Sequence, residues 1–244
     1  MSWHCKASNA YARSSAEALD NATEIVNICS SLGWAIWPIC AMLGNMESES
    51  GYNPWRWQSD VILPVGDPRI GTIGGGNTAH AYGLCQQDPA AKYIYRAYAQ
   101  MQNGYGPNYS DQAGSQYDGY AQMQYLHWIC SQNEAGGEWL PNAPLAQGLG
   151  VPFADFITNA PGYTIAELTR VFFGCYERGT WDNSRVSAAS HWRSIFDNYD
   201  PVDPDVPPGT DSQAAWFGVF KILSKKRHPV IGYYRKPKNG SVIK

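Results

Sequence analysis

The chain has no apolar run long enough for a membrane-spanning helix, no CxxC pair and no internal repeat. A spanning helix needs about 20 consecutive apolar residues, and structural zinc sites and redox dithiols generally show close cysteine pairs. Solenoids and propellers show a repeat period. Also missing are His-Glu-x-x-His, the Gly-x-Ser-x-Gly elbow, and a Lys-Ser or Lys-Thr after the run Gly74-Gly75-Gly76. Metallopeptidase, serine hydrolase and phosphate-loop chemistry therefore have no support, and no metal or other cofactor is expected. The opening stretch MSWHCKASNAYARSS lacks the basic start and apolar core of a secretory signal, so export by a leader of its own is not expected.

Charge is sparse, at 16% of residues, while 44% are apolar, so the chain is expected to fold rather than stay disordered. Residues 1–200 carry 10 Lys and Arg against 18 Asp and Glu, whereas residues 211–244 carry 8 against Asp211 alone. An acidic body has no clustered cations to meet phosphates, so nucleic acid is excluded as its partner. The six cysteines (5, 29, 40, 85, 130, 175) lie far apart, and free buried thiols are the favoured state. A Cys85/His127 thiol hydrolase has little support, because nothing near Cys85 in sequence would activate it.

Aromatic residues are abundant, with 10 Trp and 16 Tyr. Some belong in a core, and some have the flat apolar faces that stack on sugar rings in a groove.

Apolar periodicity predicts a helix over 15–32 with Leu19, Ala22, Ile25, Val26, Cys29 and Leu32 on one face, ended by Gly33. A second helix starts at Trp37-Pro38, with proline tolerated in the first turn, and stops at Gly51. Residues 55–83 read as a loop or small β-hairpin flap. Asp88-Pro89 predicts a helix start, another helix covers about 117–131, and Thr164-x-x-Glu167 is a capping box. A last helix, 184–199, is expected to turn Val186, Ala189, Trp192 and Phe196 inward. DPVDPDVPPGT, 200–210, reads as a stiff linker. Beyond it, residues 211–244 open with a short amphipathic segment that turns basic. It is expected to dock on the body or on a partner protein, the alternative being an anionic envelope surface.

MESESGYNPWRWQ, 46–58, places Glu47 and Glu49 in the last turn of the second helix. Two residues apart means about 200° around the axis, so the two carboxylates face different ways and cannot share one bond. Periodicity alone does not choose between them.

Glu49-Ser50-Gly51-Tyr52-Asn53-Pro54 resembles the Glu-Ser-x-x-Asn-Pro signature of goose-type lysozymes and lytic transglycosylases. Tyr82-Gly83-Leu84-Cys85-Gln86 resembles their downstream element. The likeness is closer to the phage tail lysozyme family, through Trp57-Gln58, Pro89, the run Phe172-Phe173-x-x-Tyr176-Glu177-Arg178, and a last helix with Ala188-Ala189 and Trp192. It covers roughly residues 15–199. Gln87 and Gly179 depart from it, standing where an aromatic and a proline are usual.

The resemblance implies a mainly α, lysozyme-like α+β domain over 1–199 with a small β/loop flap. It also implies cleavage of β-1,4 bonds in bacterial peptidoglycan, with Glu49 as the acid. Gln86 and Tyr82 would line the groove, with Trp55 and Trp57 as candidate walls. Glycoside hydrolysis usually needs a second carboxylate; Asp60 is the candidate, with Asp67 and Asp88 behind it. Glu177 is expected to be a structural partner of Arg178 or another arginine. The setting implied is a phage virion, at the tail, with 211–244 touching tail proteins. A lytic transglycosylase, a soluble lysin and a non-catalytic wall-binding tail protein are the alternatives.

Overall fold

A computed structural model describes residues 3–64, 67–71, 80–94, 113–132 and 138–198, all within the unit Met1–Val202. The expected linker and basic segment, 200–244, lie outside the described residues, as do parts of the expected flap and of the helix after Asp88.

The protein is mainly α-helical. Helix α1 is Ala16–Ser31, with the Ser15 side chain accepting from the Ala18 amide at its start. Gly33, at φ +85, closes it: the Gly33 amide donates to Ser30 O and the Trp34 amide to Cys29 O, satisfying carbonyls that the helix leaves open. The buried face carries Ala18, Ala22, Ile25, Val26, Ile28 and Cys29, and also Asn21. Leu19, expected inward, is 41% exposed. The packed face is centred to include Asn21, whose amide bonds the carbonyls of His4 and Tyr52, and Leu19 falls outside it.

Helix α2, Ile36–Glu49, is the centre of the domain, and every residue from Pro38 to Met46 is buried. A helix apolar around its whole circumference can be stable only when other elements surround it. Those elements are α1, α5 (Phe153–Thr158), α6 (Ile165–Phe172) and α7 (Ser184–Phe196). Helix α3 is a short turn, Ala91–Ile94, and α4 is Asp118–Ser131. Gly44 lets α7 approach closely: a methyl there would lie 2.4 Å from Arg185 O and 2.6 Å from Ala189 Cβ.

The capping box at Thr164 and Glu167 forms as expected. Helix α6 then widens into a π turn, Phe173–Glu177, which ends at Arg178 with φ +58. Such widened turns often occur at functional sites, and this one sets Glu177 at its exit. Among the described residues the flap contains only isolated antiparallel bridges, Trp57 to Tyr82 and Tyr82 to Gln87, together with short 3-10 turns at Gln58–Asp60 and Pro68–Ile70.

Four of the tryptophans belong to the buried core. Trp34, Trp57, Trp139 and Trp192 are buried, and Trp139 packs on Phe156 with ring centroids 4.8 Å apart. The cysteines are free, and all but Cys5 are buried.

Candidate active site

Helix geometry separates the two glutamates as its 100° per residue requires. Glu47 accepts from the Tyr52 hydroxyl at 2.8 Å and lies 3.5 Å from Arg13. Glu49 turns the other way, into a cleft of about 370 Å³ that it lines with Arg56, Gln58, Ser59, Ala81, Gln86, Asp88, Glu177 and Gly179.

The loop after Glu49 is held from outside by an N-terminal strap. The Asn53 amide nitrogen donates to the carbonyls of Lys6 (2.9 Å), Ser8 (2.8 Å) and Asn9 (2.7 Å). The Tyr11 amide donates to Gly51 O at 3.0 Å. Gly51, at φ +55, would carry any methyl 2.4 Å from Ala10 Cβ. The Glu-Ser-x-x-Asn-Pro residues thus divide their work: one faces the cleft and the others shape and anchor the turn.

Trp57 is extended, at φ −92 and ψ 147, between a turn at Trp55 and the 3-10 turn that begins at Gln58. Trp57 is buried against Tyr82, with ring centroids 4.7 Å apart, and the Trp55 indole donates to Ser115 O at 3.2 Å. Arg56 and Gln58 line the cleft in their place. The expected tryptophan walls are therefore supports behind the groove, and no aromatic side chain lines the cleft among the described residues.

Tyr82 is likewise a support. Its hydroxyl donates to buried Asp118 at 2.6 Å, and Asp118 also accepts from Tyr93, Gln122 and the Gly114 amide. Gln86 does reach the cleft. Its amide nitrogen donates to Arg56 O and Gly83 O, both at 3.0 Å, and this fixes how the side chain is presented. Gln87 turns away to bond the Tyr176 hydroxyl.

Asp60 is placed elsewhere. Its carboxylate accepts from the Ser8 hydroxyl (2.9 Å), the Asn9 amide (2.7 Å) and Arg56 (3.3 Å). These bonds, the Ser8 hydroxyl first, hold its pKa below the usual carboxylate value, and it is not among the cleft residues. Asp67 is occupied by Arg69 at 2.9 Å. Of the aspartates considered, Asp88 alone borders the cleft.

Arg185 and Glu177 complete the site. Val186, expected inward, is only half-buried, while Arg185 is 5% exposed. Its Nη2 meets Glu49 Oε1 at 2.6 Å, and its Nη1 reaches Asn45 O and Oδ1. Glu177 does not pair with Arg178, which binds Glu138 at 2.8 Å. It borders the cleft, its Oε1 sealed and without a hydrogen-bond partner. Burial pushes the Glu177 carboxyl well above its usual range, and the Glu49 charge adds to this; Arg185, the Cys85 thiol and Arg178 oppose it. The Glu177 signal in the sequence was its place in the Tyr176-Glu177-Arg178 run; for Arg185 there was none.

Cys85 and His127 do not form a thiol hydrolase pair. The Cys85 thiol is buried and pushed up by burial, while His127 Nδ1 accepts from the Trp34 indole at 3.0 Å. Among the described residues no group of His, Cys, Asp and Glu has the arrangement of a metal site. No described helix is long and apolar enough to cross a membrane.

The glutamate at the end of a buried helix, the Tyr-Gly-Leu-x-Gln turn and the Glu177 exit thus meet in one cleft. Residues 20–196 match the phage tail lysozyme family. The chain belongs to that family. The phage tail lysozyme match runs from within α1 to the end of α7 and leaves the N-terminal strap outside it. A curated relative, "Morphogenesis protein 1" of Bacillus phage B103, is 29% identical over 187 residues. That alignment covers 75% of this chain and 41% of the relative, so the chain spans less than half the length of that protein.

Proposed function

We propose that this domain is a muramidase-type glycosidase that cleaves β-1,4 bonds of bacterial peptidoglycan, with Glu49 delivering the proton to the leaving oxygen. The observation that carries the reading is the Glu49 side chain, rigidly based on buried α2 and opening into a polar cleft of about 370 Å³. That volume suits a few sugar rings, since ligand pockets run about 300–1,000 Å³. Arg56, Gln58, Gln86 and Asp88 supply donors and acceptors for hydroxyl and acetamido groups. A positioned acid is worth about 10²- to 10⁴-fold in rate.

The setting proposed is the virion of a phage, at the tail, with the host wall as the place of action. Residues 211–244 would join the domain to tail proteins or touch the envelope surface.

Zymography on cell walls tests the reading with the wild type and Glu49→Gln. Clearing by the wild type alone is expected; clearing by both removes Glu49 as the acid, and clearing by neither favours a wall-binding tail protein. The engagement of Asp60 outside the cleft favours considering a second route, the lytic transglycosylase, in which a sugar hydroxyl takes the place of water. Mass analysis decides: reducing ends mark hydrolysis, and anhydro ends mark transglycosylation.

A further inference from the structure

Three separate elements converge on the end of the cleft where Glu49 sits. Glu49 comes from the last turn of α2, Arg185 from the first turn of α7, and Glu177 from the exit of the π turn. Both glutamates line the cleft, and the buried guanidinium of Arg185 binds Glu49. The cation with the larger effect on Glu177, Arg185, is thus already bound to Glu49.

Charge and solvation decide how the two carboxyls share it. Glu49 has a donor at 2.6 Å and is 21% exposed at its side chain. Glu177 has an oxygen that neither solvent nor a protein donor reaches. An anionic oxygen in such a place costs several kcal/mol, whereas a carboxylic acid costs far less. Two like charges sharing one site push one of the two groups to keep its proton.

We propose that Glu177 holds, in the resting protein, the proton that Glu49 delivers to the leaving glycosidic oxygen, so that the two carboxyls act as one proton-sharing pair over Arg185. This rests on the glycosidase reading above. The groups that face Glu177 agree with it. Glu49 from α2 repels its charge, while Arg185 from α7, the Cys85 thiol and Arg178 oppose that effect more weakly than burial raises it. Cys85 and Tyr176 are themselves pushed up by burial and stay neutral. Arg56 and Asp88 stand along the same cleft.

The step balances. The proton passes from the Glu177 carboxyl to the Glu49 carboxylate and then to the glycosidic oxygen. The bond from the anomeric carbon to that oxygen breaks, its electron pair staying on the oxygen. Water bonds to the anomeric carbon through its own oxygen and returns a proton to the pair. Glu177 is a positioning residue in this scheme, since it acts through Glu49.

The test has one arm that does not depend on activity. In full-length protein labelled at glutamate carboxyl carbons, NMR titration should show one glutamate still protonated at neutral pH. That resonance should be absent in Glu177→Gln and should titrate at lower pH in Glu49→Gln, where the neighbouring charge is gone. If every glutamate titrates in the ordinary range, the proposal fails whatever the enzyme does. The second arm is the pH dependence of kcat. In Glu177→Gln, Glu49 faces Arg185 without a proton reserve, so the alkaline limb should move by about 1 pH unit or more toward acid, with KM changed less than about threefold. A uniform loss of rate at every pH, with the limb in place, would assign Glu177 a structural role only. Wild type that cleaves no wall polymer overturns the glycosidase reading, and the NMR arm still decides whether the proton is shared.

Discussion

Glu49 Oε1 and Arg185 Nη2 meet at 2.6 Å across the contact between α2 and α7, and the arginine is 5% exposed. The pair joins the candidate acid to the close α2–α7 contact at Gly44, so stability and chemistry are coupled there.

Removing one partner of a buried ion pair leaves the other uncompensated, at a cost of about 3–5 kcal/mol. Because Glu49 is partly exposed and solvent screens it, Glu49→Gln is expected to cost less than that range, about 2–3 kcal/mol. Urea denaturation checks this, and the double variant Glu49→Gln with Arg185→Met should recover most of the loss. Equal midpoints for wild type and Glu49→Gln would show that the arginine does not depend on the pair.

Gly44→Ala should be disruptive although Ala favours helix by about 1 kcal/mol over Gly. Its methyl would lie 2.4 Å from Arg185 O and 2.6 Å from Ala189 Cβ, and overpacking of this kind costs about 1–3 kcal/mol. Because α7 must shift, Arg185 moves off Glu49. The expected result is a lower melting temperature and a loss of wall clearing together.

Stability should fall with rising pH through Glu177. Its folded value lies well above the usual glutamate range, so its contribution is complete below the unfolded value of about 4.3 and is lost as pH rises toward the folded value. Between pH 4 and 8, the melting temperature of Glu177→Gln should gain on that of the wild type. Parallel curves would rule this out.

Asp60 and Asn53 separate clip from chemistry. Asp60→Asn weakens bonds to Ser8 and Asn9, and Asn53→Ala leaves three strap carbonyls without their shared donor, at about 1–3 kcal/mol. Both should speed proteolytic release of the first residues. Asp60→Asn is expected to keep clearing within a few-fold; a loss of 100-fold or more in a folded protein would restore Asp60 as the second carboxylate.

Asp118 accepts four hydrogen bonds while buried. In Asp118→Asn an amide faces donors, and a cost of about 3 kcal/mol is expected. Tyr82 would lose its anchor, and the turn carrying Gln86 would loosen. Hydrogen exchange at Gly83 and Leu84 should increase.

The elements that were legible in the sequence are those set by local chemistry. Gly33 as a stop and the Thr164/Glu167 box each act within a few residues, so a window of sequence contains the whole cause. The order of the family elements was legible too, and the resemblance it carries implied Glu49 and Gln86 in one groove, where both lie. The errors share a different origin. Leu19, Val186, Trp55 and Trp57 were assigned by apolarity or by nearness to a motif, and burial is decided by distant partners. Asn21 takes a core place because His4 and Tyr52 offer carbonyls, and Arg185 takes one because Glu49 waits 136 residues away.

The sequence by itself determined the limits of α1 and the start of α6, that Glu47 and Glu49 face apart, and the family, because periodicity, capping and motif order are properties of the chain. Only the tertiary structure decided which charges are buried. The pairing of Glu49 with Arg185 and the placing of Glu177 beside them come from three segments meeting, and the energy of a buried charge depends on what surrounds it in space.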